Sequence, residues 1–282
     1  MNNFAEFEKR MNEIDCLIGL IPPKPNSENV EQINTLCRAS IVLLSSHLEG
    51  FLQDMMEEFI DEVNHLSIGF QSLPVELYLQ NNFPKGQIIQ NNFNTLTQIF
   101  TEVKILQASN SSIDLDKSKF SKTNGNPTPD IINKLFKILG IDNVLDILNH
   151  DIKNLNTEES YKSFFTEAEK RELISQLGCP IIINKIEQFI VLKRNLKNGK
   201  NRDVGFYNTI NQLLNYRNNI AHGNVRINIS VQELIGIKDD IYCLVENLYI
   251  KADERINSLK ELSITMAEVA SEKEYNILQL NL

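Results

Sequence analysis

The residues of this chain best suited to chemistry lie in one short stretch, where Arg217, Asn218 and His222 fall within six residues. Apolar residues recur before it at three- and four-residue spacing and predict a helix, at Ile210, Leu213 and Leu214. Gly223 predicts a left-handed end to that helix. Continuing the apolar stripe places the three polar side chains where a helix should face a core or a partner. Since burying an unpaired guanidinium costs several kcal/mol, this break in the pattern indicates a site.

An arginine and a histidine near a helix end, without a carboxylate triad, suit metal-independent cleavage of RNA. The 2′-hydroxyl of the substrate is the nucleophile, so the protein need not supply one. His222 would act as base toward that hydroxyl or as acid toward the leaving 5′-oxygen. Arg217 would hold the scissile phosphate and offset the charge of the transition state, and Asn218 would orient the phosphate or the His222 ring. The alternatives are a structural interface arginine and a helix-end histidine that interacts with the helix dipole.

The pattern Arg-Asn-x-x-Ala-His-Gly at residues 217–223 resembles the signature of the HEPN family, the higher eukaryotes and prokaryotes nucleotide-binding domain. Residues 38–51 resemble the early core helix of one prokaryotic HEPN branch, with a polar-x-x-Glu element at Ser46 and Glu49. The resemblance implies that Glu49 approaches the Arg-His pair, where its carboxylate could anchor Arg217. The alternative for Ser46 and Glu49 is simple exposure to solvent.

The resemblance implies more about function than the individual residues do alone. It implies an endoribonuclease with catalytic residues Arg217, Asn218 and His222, and a homodimer in which two copies of the motif meet at the interface. It also implies a toxin or anti-phage defence effector, with an antitoxin or another component of a defence system as a partner. The alternative function is a non-catalytic helical module that binds RNA or protein.

The charge balance restricts how nucleic acid could bind. The formal net charge is −9 over 282 residues, which argues against tight, non-specific binding of long duplexes. It leaves room for an enzyme that binds one phosphate and a short single strand. A run of basic residues lies just before the predicted site helix, at Lys193, Arg194, Lys197, Lys200 and Arg202. It is a candidate substrate-binding surface, and the alternative interpretation is a solvated helix end.

Cofactor, metal and membrane patterns are missing from the sequence. The four cysteines stand far apart, and Cys16 and Cys37 lie on apolar stripes that predict buried positions. We find no His-x-x-x-His, His-Glu-x-x-His or glycine-rich phosphate loop, so we expect neither a metal nor a cofactor. Residues 1–18 carry charges throughout and no apolar run is long enough to span a bilayer. A cytoplasmic protein without a membrane partner is the expectation.

The periodicity predicts an all-α fold, a HEPN-type helical bundle with an irregular helical insertion, in a single domain over residues 1–282. The predicted core helices lie within residues 4–66 and 181–262. A first helix covers about 4–18, a long second helix 30–66, and a capping box at Ser230 and Glu233 opens a helix to about 262. The insertion covers about 67–180, with short helices at 130–139, 142–149 and 166–177.

Part of that insertion looks peripheral. Residues 109–128 combine low hydrophobicity with Ser, Asn, Lys and Pro, which predicts a mobile, protease-sensitive loop. The Asp114-Leu115-Asp116 sequence within it is expected to be solvated. We therefore expect that shortening the loop would leave the bundle folded.

Overall fold

The computed structural model describes residues 3–22, 28–66, 68–82, 126–148, 205–223 and 227–280, together with 99, 101–106, 108, 112 and 114–120. Side chains of the last helix are described as far as Ile264. Within these ranges the backbone is helical or irregular, and its β-structure is a single isolated bridge between Gly69 and Ser112. The predicted all-α class is confirmed.

The principal helices are α1 (Asn3–Gly19), α2 (Val30–Leu66), α3 (Val75–Asn82), α4 (Pro129–Ile138), α5 (Phe206–Ala221) and α6 (Val231–Leu280). Short 3₁₀ turns cover Phe70–Ser72 and Lys117–Lys119. The bounds of α1 and α2 agree with those predicted from periodicity. Helix α6 begins where predicted but continues well past residue 262, since the charged and apolar residues beyond it have good helix propensity and no proline interrupts them.

Helix α2 is the centre of the bundle and packs against both α1 and α6. Its 37 residues span about 55 Å at 1.5 Å per residue. Its buried side chains cover a wide arc because it has neighbours on more than one side, among them Cys37, Ile41, Leu44, Leu48, Phe51, Met55 and Phe59. This packing fixes the position of α2, and so of Ser46 and Glu49, relative to α1 and α6.

Helix α1 contributes one buried stripe, formed by Phe7, Met11 and Ile14. The prediction that Cys37 is buried is confirmed, but the same prediction for Cys16 is wrong, because its side chain is exposed. Cys16 lies two residues after Ile14, which turns it roughly 200° around the helix from the buried stripe.

Residues 114–120, which lie within the segment predicted to be a mobile loop, are anchored to the core. Leu115 and Phe120 are 3% and 1% exposed. The side chain of Asn64 on α2 accepts a hydrogen bond from the Leu115 amide at 3.0 Å and donates one to the Leu115 carbonyl at 2.9 Å. Asn81 on α3 accepts from the Asp116 amide at 2.9 Å. The prediction was wrong for these residues because two asparagines distant in sequence satisfy the backbone of an otherwise polar segment.

Helix α4 is capped at both ends. The Thr128 hydroxyl accepts a hydrogen bond from the Ile131 amide, and Pro129 occupies the first turn, where its missing amide hydrogen is no loss. At the other end Gly140 has φ +87°, and Arg255 on α6 donates to the Leu139 carbonyl at 3.0 Å. These caps fix the position of the chain immediately before α4.

Contacts divide the chain into two compact units, one of residues 1–144 and 209–282 and the other of residues 145–208. The first part of the predicted insertion, up to Val144, therefore belongs to the same unit as α1, α2 and α6, because of the anchors described above. The helix predicted at 166–177 and the first residues of the predicted core at 181–204 lie outside the described residues. No helix in the described ranges is long and apolar enough to cross a membrane.

Candidate functional site

The predicted site lies at the C-terminal end of α5. Ile210 and Leu213 are fully buried and Leu214 nearly so, which confirms the apolar stripe that leads to the motif. Polar contacts hold the same helix against α6, since the Thr209 hydroxyl lies 3.4 Å from the Asp240 carboxylate and Gln212 donates to Glu233 at 3.0 Å. These contacts therefore hold α5 in a fixed position against α6.

Glu233 has a different role from the one that the capping-box pattern predicts. The Ser230 hydroxyl accepts from the Glu233 amide at 3.2 Å, which is the predicted cap. The Glu233 carboxylate instead accepts hydrogen bonds from Gln212 and from the Tyr216 hydroxyl, and the latter bond raises the pKa of Tyr216. Tyr216 directly precedes Arg217, so this bond fixes the last two turns of α5 against the start of α6.

The helix ends where the sequence predicts. Gly223 has φ +77°, and its amide donates to the Ile220 carbonyl at 3.0 Å. The His222 amide still donates to the Asn218 carbonyl at 2.9 Å, so His222 lies on the last helical turn with its side chain exposed. A residue with a side chain at position 223 would be strained in this left-handed conformation.

Arg217 and Asn218 are half-buried, beside the exposed His222. The continued apolar stripe predicted side chains facing a core or partner. Within the described residues Arg217 and Asn218 lie at the edge of the core, because α5 emerges from its packing after Leu214. That a partner covers this edge stays a prediction. The Arg217 Nη1 donates to the Asn218 Oδ1 at 3.1 Å. No ion pair joins Arg217 to a carboxylate among the residues that the structure describes.

Asn126 is a neighbour of the motif that the sequence did not indicate. Its Nδ2 donates to the Asn218 Oδ1 at 2.9 Å, across 92 residues of sequence. The Asn218 oxygen therefore accepts from both Arg217 and Asn126. No local pattern could have identified Asn126, because it lies in the segment whose composition predicted a peripheral loop.

Ser46 and Glu49 both lie on α2, but their surroundings differ. Ser46 is exposed and lines an open groove of about 640 Å³ together with Ile220 of α5, Arg38 and the aliphatic residues Leu17, Ala39, Val42 and Leu43. Glu49 is half-buried, and Gln53 on the same helix donates to it at 3.5 Å. Among the described contacts, no ion pair links Glu49 to Arg217.

The other candidate residues add no second centre. His47 is buried beside Glu13 at 3.3 Å, and burial lowers its pKa while Glu13 opposes that shift. The basic candidates Lys193, Arg194, Lys197, Lys200 and Arg202 lie outside the described residues. The searched part of the chain contains no group of three or more His, Cys, Asp or Glu side chains placed to hold a metal ion.

Comparison with models of protein families gives a match over most of the chain. A family model described as RiboL-PSP-HEPN matches residues 5–254, a span that includes α2, α5 and the segment with Asn126. No curated protein and no solved structure matches the chain. The match confirms the resemblance to the HEPN family that the sequence indicated, and it supports a domain of the nucleotide-binding or ribonuclease type.

Proposed function

The chain belongs to the RiboL-PSP-HEPN family, and from this premise we propose that it is a metal-independent endoribonuclease. Its substrate would be single-stranded RNA, and its catalytic residues would be Arg217, His222 and Asn218. The biological role would be that of a toxin or anti-phage effector acting in the cytoplasm. Family membership supports the proposal of that role.

The observation that supports catalysis most strongly is the surroundings of Arg217. A half-buried guanidinium normally pairs with a carboxylate, because desolvating its charge is costly. The described acceptor of Arg217 is instead the neutral amide oxygen of Asn218. Its positive charge is thus available to a phosphate, which would accept paired hydrogen bonds from the guanidinium.

The proposed reaction needs only groups of the RNA and of this site. The 2′-oxygen attacks the adjacent phosphorus, the bond from phosphorus to the 5′-oxygen breaks, and a 2′,3′-cyclic phosphate and a 5′-hydroxyl result. A base takes the proton of the 2′-hydroxyl and an acid gives one to the 5′-oxygen. Arg217 would stabilise the additional negative charge that develops on the phosphoryl oxygens.

Among the described residues, one chain supplies one histidine at this site, whereas the reaction uses both a base and an acid. A homodimer with two-fold symmetry beside α5 would bring a second His222. The exposure of His222 at the helix end is compatible with such a contact. A cleft with four basic groups would also focus positive potential within a chain of net charge −9.

The test compares two histidines that both lie exposed in the last turn of a helix. His222→Ala should reduce cleavage of single-stranded RNA in EDTA by roughly 10²- to 10⁴-fold. His65→Ala, on α2, should leave the rate unchanged, because the described partner of His65 is only the Asp61 carbonyl of its own helix. Equal rates for both variants, or activity that requires added metal, would contradict the proposal. RNA binding without cleavage would favour the non-catalytic alternative.

A further inference from the structure

The segment that carries Asn126 is held rigidly where it approaches α5. Pro127 and Pro129 are buried, and each fixes its own φ. The Asn126 carbonyl accepts from the Thr128 amide at 2.8 Å, and Thr128 in turn caps α4. The Asn126 side chain therefore projects from a backbone that the caps of α4 hold in place.

The hydrogen bonds at Asn218 determine how its amide is oriented. Its Oδ1 accepts from the Asn126 Nδ2 at 2.9 Å and from the Arg217 Nη1 at 3.1 Å, which occupies both lone pairs of a carbonyl oxygen. The Asn218 Nδ2 consequently points away from these two donors. Asn126 is the one of the two donors that comes from outside α5.

We propose that Asn126 is a positioning residue, which orients Asn218 and through it the Arg217 guanidinium for the phosphate of RNA. This inference rests on the proposed function. Without the Asn126 donor, the Asn218 amide can rotate, and the Arg217 side chain loses its fixed acceptor. The phosphate would then bind to Arg217 and Asn218 side chains that are not already ordered, and ordering them on binding costs free energy.

The experiment measures kcat and KM for single-stranded RNA in Asn126→Ala, Asn218→Ala and the double variant. Loss of one such hydrogen bond should lower kcat/KM about three- to tenfold. Because Asn126 acts through Asn218, the double variant should be no worse than Asn218→Ala alone. Asn126→Asp should be worse than Asn126→Ala, since a carboxylate cannot donate to Asn218 and would compete for Arg217.

Asn64→Ala is the matched control, because Asn64 also anchors the same segment but bonds to Leu115 rather than to the motif. It should lower the thermal midpoint without changing kcat/KM. If Asn126→Ala behaves like Asn64→Ala, or if its effect adds fully to that of Asn218→Ala, the positioning role is wrong.

A second readout separates this inference from the proposed function. The affinity for a single-stranded DNA oligonucleotide, which has the phosphates but lacks the attacking 2′-hydroxyls, should fall about three- to tenfold when Asn126→Ala is introduced, in the wild-type and His222→Ala backgrounds alike. A wild-type protein that does not cleave RNA would overturn the proposed function. Unchanged affinity in Asn126→Ala, whatever the cleavage result, would overturn the role of Asn126.

Discussion

Arg217 and Arg10 show how differently the chain uses two arginines. Arg10 on α1 donates to the Asp54 carboxylate on α2 at 2.7 Å, which links two helices. Arg217 donates to the side-chain amide oxygen of Asn218, the next residue of the same helix, so this hydrogen bond does not join two helices. An ion pair between partly exposed groups adds at most about 1 kcal/mol to stability, and Arg217 lacks even that contribution among its described contacts. Its position is better explained by binding an anion than by holding the fold.

Glu246 on α6 provides a pH-dependent prediction at the residue scale. Burial, with a contribution from Glu8, raises the pKa of the Glu246 carboxyl above its ordinary value. The folded protein therefore holds this proton at pH values where the unfolded chain has released it. Stability from this group is complete below the ordinary pKa and is lost as the pH rises through the raised pKa.

We expect Glu246→Gln to increase the free energy of unfolding at neutral pH. This gain should shrink as the pH falls through the raised pKa, and it should be absent below the ordinary carboxyl pKa of about 4.3. Urea unfolding at a series of pH values measures it. Glu261→Gln, at an exposed position of the same helix, is the control and should show little change. A gain for Glu246→Gln that does not depend on pH would contradict this explanation.

At the scale of elements, Leu115 and Phe120 before α4 are part of the core. Phe120 is 1% exposed, so Phe120→Ala should cost about 3–5 kcal/mol through lost burial and a cavity. Ile105, which is 61% exposed, offers a matched truncation, and Ile105→Ala should change stability by no more than about 0.5 kcal/mol. Urea unfolding of both variants checks the pair. Similar small losses would restore the view of a peripheral loop.

Local patterns predicted the helices that contain regular apolar stripes. Helices α1 and α2, the start of α6 and the Gly223 stop of α5 all follow from spacing, capping and glycine, which are properties of neighbouring residues. The motif at 217–222 was visible for the same reason, since its polar residues interrupt such a stripe.

The contacts that the sequence could not indicate are long-range. Asn64 meets Leu115 across 51 residues, and Asn126 meets Asn218 across 92. A polar side chain that satisfies a distant backbone or amide group has the same composition as one exposed to water. Composition therefore predicted a mobile loop over residues of which 114–120 are anchored, and it gave no indication of Asn126.

At the scale of the whole molecule, the proposed homodimer predicts a specific result from mixing inactive chains. If each phosphate needs Arg217 from one chain and His222 from the other, heterodimers of Arg217→Ala and His222→Ala chains should regain part of the activity under exchanging conditions. If two histidines are needed, activity should stay absent while dimers persist by sedimentation. A protein that is monomeric at micromolar concentration and fully active would contradict the composite site.

The most direct test of the central claim is cleavage of a defined RNA in which one nucleotide, at a mapped cleavage site, lacks its 2′-hydroxyl. If that hydroxyl attacks, cleavage should be lost at the substituted position and at no other. The other sites should continue to yield 2′,3′-cyclic phosphate and 5′-hydroxyl ends in EDTA. Continued cleavage at the substituted position, or products with 5′-phosphates, would show that water or a metal-bound hydroxide attacks instead and would contradict the proposed mechanism.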